Sequence, residues 1–180
     1  MREREDTVVA VVVAAPGRQL TSRVRLQKAI YLLDRLGLES GFEFDYHHYG
    51  PYSRRFDNAT ADAKAFSLVT ERIEHRKSDG ASYSIFEAPD GVEPKAEAFG
   101  KLGRERTSDL VGLFAKTNLT VLELAATIDW LWRFEKVADW RSEVERRKGA
   151  KVGGGRLDRA VGLLRELNLS PPESSAAVRT

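Results

Sequence analysis

The sequence VTERIEHRKSDGASYSIFEA, residues 69–88, decides the fold expected for this chain. Polar and apolar side chains alternate along both of its halves, which is the period of a half-exposed strand. Ser78-Asp79-Gly80 separates the halves, and such residues are typical of tight turns. The stretch therefore predicts an antiparallel hairpin.

Two amphipathic helices are predicted before this hairpin. Thr21 or Ser22 can cap the first, which extends to about Leu38, and Ser53 can cap the second, over residues 54–66. The alternating residues 42–49 predict a short strand between them, ended by a Gly-Pro break. Helix, helix and ribbon in this order predict a winged-helix-like N-terminal half.

The second half reads as all-helical. Helices are expected near residues 93–115, 121–137, 140–147 and 157–167, with Gly153 to Gly155 as a flexible link before the last. We predict an α+β, predominantly helical domain over residues 1–169, with a winged-helix-like part at 1–92, a C-terminal helical bundle at 93–169 and a disordered tail at 170–180. By pattern the tryptophans of this half suit a core or an interface, and the core is the preferred interpretation.

Composition excludes several classes of function. The chain has 180 residues, a net charge of +2 and no cysteine, so a disulfide framework, a thiolate metal site and a cysteine nucleophile are excluded. A reducing cytoplasm is the expected compartment. The longest apolar run, Val8 to Ala15, has eight residues, whereas crossing a bilayer takes about 20. We therefore expect no membrane association and a buried first helix ending before Pro16.

The densest group of side chains with chemical potential is YHHYGPYS, residues 46–53. These rings and hydroxyls can form a small polar pocket for an anion at a helix start, or they can fill the gap between strand and helix. His47 and His48 are neighbours on a predicted strand, so their side chains point to opposite faces and do not share a metal. No catalytic residue, metal or cofactor is assigned.

DNA binding is the alternative function that a winged helix suggests. Arg54 and Arg55 on the second helix, with Arg76 and Lys77 on the ribbon, are the candidate nucleic-acid contacts. Residues 53–87 nevertheless hold six basic and six acidic side chains, and a DNA-reading module is usually visibly basic. A second basic run, residues 146–151, is expected to be a solvated helix end.

Two linked motifs carry a family resemblance. RLQKAIYLL, residues 25–33, is followed about 16 residues later by YGPYS, residues 49–53. The pair resembles the LQK-hydrophobic-Tyr and Tyr-Gly-Pro signatures of YwgA-like proteins and of the related Panacea, or SocA-like, antitoxin domain. The likeness covers about residues 21–88. Ala29 and Tyr52 depart from common residues of the Panacea branch and favour the YwgA-like branch.

The resemblance implies a winged-helix-like domain without catalytic chemistry that, in the Panacea branch, neutralises a partner toxin by direct contact or delivers it to a protease. We therefore expect a non-enzymatic interaction protein whose partner is a protein, such as a toxin encoded nearby. The expected motif residues, which either form the contact surface or fix the strand-to-helix corner, are Arg25, Gln27, Lys28, Tyr31, Tyr49, Gly50, Pro51, Tyr52 and Ser53. For the structural role, Arg25 or Gln27 is expected to hydrogen-bond the backbone near Gly50.

Overall fold

A computed structural model describes residues 3–173 of the chain. In chain order its regular elements are α1 (Arg4–Ala14), β1 (Gln19–Thr21), α2 (Arg23–Leu36), β2 (Asp45–His47), β3 (Gly50–Tyr52), α3 (Arg54–Ala65), β4 (Thr70–His75), β5 (Ser82–Glu87), α4 (Gly103–Lys116), α5 (Leu119–Arg133), α6 (Trp140–Lys148) and α7 (Arg156–Glu166). The predominantly helical α+β class is thereby confirmed. Two compact units form: Met1–Asp45 with Tyr52–Thr117, and Tyr46–Pro51 with Asn118–Thr180.

The helices of the first unit begin and end where local capping dictates. The Ser22 hydroxyl accepts a hydrogen bond from the Arg25 amide at 3.3 Å, and Gly37, with φ of 115°, ends α2 in a left-handed conformation. Ser53 caps α3 in the same way. The valine-rich α1 is buried over residues 7–13 and packs against α3 and α4, so it is the central helix of this unit.

The sheet of the first unit has the strand order β1-β5-β4, and all its pairs are antiparallel. β4 and β5 pair over their full length from Thr70 opposite Glu87 to His75 opposite Ser82, which confirms the predicted hairpin. Leu20 and Phe86 face each other across β1 and β5 and are both buried. One face of the sheet therefore belongs to the core.

Two predictions for element bounds were wrong. Residues 42–49 do not form one strand: β2 begins only at Asp45, the chain turns at residues 48 and 49, and the predicted Gly-Pro break is strand β3. The helix expected from residue 93 begins at Gly103, because a 3-10 turn at Ala96–Phe99 and Gly100 precede it. A Cβ at Gly100 would lie 2.0 Å from the Leu38 carbonyl oxygen, so the chain has to pass through glycine there.

In the second unit, α5 packs against α6 and α7. The Asn118 side chain caps α5 by accepting from the Thr120 and Val121 amides at 3.0 and 3.2 Å. Trp140 is fully buried, whereas Trp130 and Trp132 are only partly so. One of the three tryptophans therefore lies in the core, and the other two lie near the surface.

The tail expected to be disordered from Ser170 is placed as far as Glu173. The Trp140 indole donates to the Pro172 carbonyl at 3.2 Å, and the Glu173 carboxylate pairs with Arg165 at 2.8 Å and with Arg141 at 3.4 Å. These contacts join Pro172 and Glu173 to α6 and α7. The rest of the predicted tail lies outside the described residues.

Candidate partner-binding site

The hairpin formed by residues 46–51 is anchored by a buried lysine of the same unit. Lys148, at the end of α6, donates from its ammonium group to the His48 carbonyl at 3.0 Å and to the Glu123 carboxylate at 2.9 Å. The two side chains are only 2% and 5% exposed. A buried ion pair with a further hydrogen bond fixes the turn of the hairpin on α5 and α6.

A second lysine shares the same carboxylate. Lys151 approaches both Glu123 oxygens at 3.0 and 3.1 Å, and its ammonium group lies 4.8 Å from the centre of the Tyr49 ring. Two cations around one carboxylate leave an excess of positive charge, which the tyrosine face stabilises. Burial lowers the pKa of Lys148, although Glu123 opposes that shift.

Arg147 links the hairpin to two further carboxylates. Its guanidinium forms a two-pronged pair with Glu135 at 3.0 and 2.7 Å and donates to Glu143 at 2.6 Å. The same group lies over the Tyr46 ring, 4.6 Å from its centre. Burial raises the pKa of Tyr46, and the neighbouring Arg147 opposes this.

These contacts overturn the expectation of a solvated helix end at Arg147 and Lys148, whereas Arg146 is exposed as expected. Lys148 is buried, Arg147 is largely covered, and both are paired with carboxylates of their own unit. The two groups singled out separately in the sequence, YHHYGP and the basic run, therefore meet in space.

Gly50 lets the hairpin approach α5 closely. Its φ is 87°, and a Cβ built on it would lie 2.7 Å from the Thr127 hydroxyl oxygen. That hydroxyl is buried and finds no hydrogen-bond partner within the described residues 3–173. Both backbone conformation and space thus require glycine at this position of the motif.

Tyr49 is an exposed aromatic side chain of the hairpin. It is 52% exposed, and its ring stands edge-on to His48 at 5.0 Å between centres. The Lys151 ammonium group contacts one face of the ring, and the rest of the ring faces solvent instead of packing in a core. Tyr46, by contrast, is half-buried and lies against the Arg147 guanidinium.

The other motif segment, on α2, lies in the first unit. Arg25 donates to the Phe114 carbonyl at 2.6 Å, to the Thr117 carbonyl at 2.5 Å and to the Thr21 carbonyl at 3.2 Å. It therefore satisfies the open carbonyls at the end of α4, and burial lowers its pKa. Gln27, Lys28 and Tyr31 are buried. A hydrogen bond from Gln27 to the backbone near Gly50 stays a prediction.

Tyr52 and Ser53 shape the start of α3. The Tyr52 hydroxyl donates to the Asp57 carboxylate at 2.6 Å, and this bond raises the pKa of Tyr52. Ser53 is buried and accepts from the Phe56 amide at 3.2 Å. Pro51, which completes the YGPYS motif, is buried in β3. These residues have structural roles at the entry to the helix.

The candidate nucleic-acid contacts are distributed over α3 and the ribbon. Arg55 pairs with Glu43 at 3.2 Å, and Arg76 forms two bonds to Asp79 at 3.1 and 2.8 Å. Arg54 and Lys77 are exposed. Acidic neighbours thus neutralise two of the four cations that a DNA-binding surface would use.

The end of α5 carries an aromatic surface, although the sequence does not decide whether its rings lie in the core or at the surface. Phe134 is 54% exposed and stacks on Trp130 with 4.7 Å between ring centres. Beside them, Trp132, Arg133, Lys136 and Ala138 line an open depression of about 270 Å³. The signal was present in the sequence, since four bulky rings fall within residues 130–140, but periodicity alone does not tell which of them face solvent.

Within residues 3–173, no group of three or more histidine, aspartate or glutamate side chains is arranged to hold a metal ion. No single helix of this range is long and apolar enough to cross a membrane. In comparisons with known proteins, no family model matches the chain and no curated protein is significantly similar to it.

Proposed function

We propose that this chain is a cytoplasmic, non-enzymatic interaction protein of the antitoxin type, which binds and neutralises a protein partner through the hairpin of residues 46–51. The observation that carries the proposal is the outward Tyr49 ring on a hairpin anchored by Lys148, Lys151 and Glu123. The resemblance of residues 25–33 and 49–53 to Panacea-type antitoxins supplies the kind of partner, a toxin.

The construction of the hairpin suits recognition of a protein. Tyrosine gives a large contact area with a polar tip, and it is enriched at interfaces. The buried Lys148–Glu123 pair and the bond to the His48 carbonyl hold the turn in one conformation before the partner arrives. Such pre-organisation lowers the entropy lost on binding.

We assign the rest of the N-terminal part a winged-helix-like arrangement that serves as a scaffold. The strand order β1-β5-β4, with α2 and α3 ahead of the β4–β5 ribbon, supports this assignment. Use of α3 and the ribbon for reading DNA is disfavoured, because Arg55 on α3 and Arg76 at the ribbon turn are paired with carboxylates.

Co-expression with the product of the adjacent gene tests the proposal. We expect a stable complex and relief of any toxicity of that product, and we expect Tyr49→Ala to weaken the complex by about tenfold or more. Phe66→Ala is the matched control, since Phe66 is an exposed ring on the first unit. A wild-type chain that forms no complex and relieves no toxicity overturns the proposal, as does equal loss in both variants.

The DNA alternative has its own readout. A promoter fragment of the chain's own gene, mixed with the protein at about 50 mM salt, provides the most favourable electrostatic conditions for binding. We expect no shift. A salt-sensitive shift that Arg54→Glu abolishes would replace the proposed function by DNA binding.

A further inference from the structure

The outer edge of β4 is an open edge of the sheet in the first unit. Among residues 3–173, β4 pairs only with β5, because the strand order is β1-β5-β4. Its pairing with β5 runs without a bulge through six residue pairs, and β4 contains neither proline nor lysine. Bulges, prolines, lysines and other charged side chains are the usual protections of an edge strand against pairing with another chain. Of these, β4 has only the charged side chains of Glu71, Arg72 and Glu74, and charges of opposite sign on a partner strand would offset them.

The direction of the free backbone groups on β4 follows from the ladder. The Arg76 amide donates to the Ala81 carbonyl at 2.9 Å, and bonded and non-bonded pairs alternate in an antiparallel ladder. On the other side of β5, the Ser22 amide donates to the Ser84 carbonyl at 2.7 Å, so Ser84 is bonded to the β1 side and not to its β4 partner Ile73. The amides and carbonyls of Glu71, Ile73 and His75 therefore point outward.

The side chains of β4 are complementary to a second, antiparallel copy of themselves. In the sequence ERIEH, residues 71–75, a two-fold axis through Ile73 places Arg72 opposite Glu74 and Glu71 opposite His75. No two like charges face each other in this register. Ile73, which is 57% exposed, faces its own copy.

The same register satisfies the backbone. Ile73 opposite Ile73, and Glu71 opposite His75, are the pairs whose amides and carbonyls point outward, so they become the bonded pairs of the new ladder. Arg72 and Glu74 then occupy the non-bonded pairs, where opposing side chains approach most closely. Within one chain Arg72 and Glu74 already pair with each other at 3.0 Å, and their side chains are 50% and 44% exposed, so both can reach the opposite residues of a second copy. A shift by one residue would place outward groups opposite inward ones.

We propose that two copies of this chain associate through their β4 strands, antiparallel and with the two-fold axis at Ile73, so that the two sheets become one continuous sheet. The contact is isologous and closed, which stops assembly at the dimer. A strand pair of six residues is a small interface, so the dimer is concentration-dependent. This association is independent of the partner-binding hairpin of the second unit.

Sedimentation of the full chain between about 1 and 500 µM tests the dimer. We expect self-association in the wild type and, because like charges then face each other twice, about tenfold or more weaker association in Arg72→Glu and in Glu74→Arg. Mixing the two variants restores opposite charges and is expected to yield the heterodimer, and the double variant R72E/E74R is expected to self-associate. Arg106→Glu, an exposed charge reversal on α4, is the matched control and is expected to behave as wild type.

A cysteine at the two-fold axis tests the register. Bonded antiparallel pairs lie about 5.5 Å apart between Cα atoms, within disulfide range, so Ile73→Cys is expected to cross-link to its copy on oxidation. Lys77→Cys is the control, since its thiols are about 26 Å apart in this register. The chain has no other cysteine.

Two outcomes overturn the proposal. One is a chain that stays monomeric at every concentration and forms no cross-link through Ile73→Cys. If the β4 amides of such a monomer become protected from hydrogen exchange when the partner protein is added, the edge binds a strand of that partner instead. The other is a dimer that neither charge reversal weakens, which places the contact elsewhere on the chain. Neither outcome bears on whether Tyr49 contacts a partner.

Discussion

Lys148 and Glu123 form an ion pair 2.9 Å long whose side chains are almost completely buried. Removal of Glu123 leaves Lys148 as a buried charge that no carboxylate compensates. Removal of Lys148 leaves Glu123 with Lys151 alone and takes the ammonium donor from the His48 carbonyl, so either single loss is destabilising, whereas replacement of both members is much less so. The energetics of the second unit therefore depend on the pair as a whole.

We expect Lys148→Met to lower the free energy of unfolding of the second unit by about 3 kcal/mol, and the double variant K148M/E123M to recover most of that loss. All three tryptophans lie within residues 130–140 of this unit, so denaturant unfolding followed by tryptophan fluorescence reports it directly. Lys151→Met, at a half-exposed lysine on the same carboxylate, is the control and is expected to cost about 1 kcal/mol or less. Equal losses at Lys148 and Lys151 would contradict the central place given to the buried pair.

Gly50→Ala is expected to destabilise the second unit by about 2 to 3 kcal/mol, since the new Cβ meets the Thr127 hydroxyl at 2.7 Å and φ is 87°. Gly154→Ala separates the two causes, because Gly154 also has a positive φ of 65° but nothing within 4 Å of a Cβ. We expect it to cost about 1 kcal/mol. The same fluorescence-detected unfolding measures both, and equal effects would show that the close approach to α5 is unimportant.

Thr127→Val is expected to leave the second unit equally stable or to stabilise it by about 1 kcal/mol. The substitution conserves shape and removes a buried hydroxyl that has no hydrogen-bond partner. Calorimetry of the variant beside wild type gives the comparison. A clear loss of stability would mean that the hydroxyl is engaged in solution.

Arg25→Ala is expected to destabilise the first unit by about 2 kcal/mol, because the Phe114 and Thr117 carbonyls at the end of α4 lose a charged donor. Arg25→Lys keeps the charge but not the forked geometry, and it is expected to lose about half as much. Denaturant unfolding followed by circular dichroism measures both. If Arg25→Lys is as stable as wild type, the motif requires only a positive charge at this position and not the forked guanidinium.

Hydrogen bonds from Arg146 and Arg147 lower the pKa of the partly covered Glu143 carboxyl from its ordinary 4.5 to about 2. A carboxyl with a lowered pKa in the folded state contributes stability above its ordinary pKa and loses that contribution as the pH falls through the folded value. We therefore expect the contribution of Glu143 to vanish between pH 4.5 and about 2. Carboxyl carbon chemical shifts followed through an acid titration give the midpoint, and Arg146→Ala should move it toward 4.5. A Glu143 midpoint near 4.5 in the wild type would contradict the pairing.

The sequence determined those features that depend on neighbouring residues. Ser22 and Ser53 as helix caps, the β4–β5 hairpin and the helices from Trp140 and Arg156 follow from capping, periodicity and turn chemistry, which act within a few residues. The turn inside residues 42–49 escaped prediction, because alternation of side chains does not reveal where two short strands separate.

The sequence likewise predicts one part of the candidate site and not the other. Composition alone predicts that the YHHYGPYS segment is a candidate site. It does not predict the contact of Lys148 with this segment, because in the sequence Lys148 is one of several basic residues at the end of a helix. Only the tertiary structure brings Lys148 to Glu123, 25 residues away, and to the His48 carbonyl, 100 residues away. Burial of a lysine costs desolvation free energy, and it is tolerated only where packing brings a carboxylate to the ammonium group. Whether a carboxylate lies there depends on distant parts of the chain.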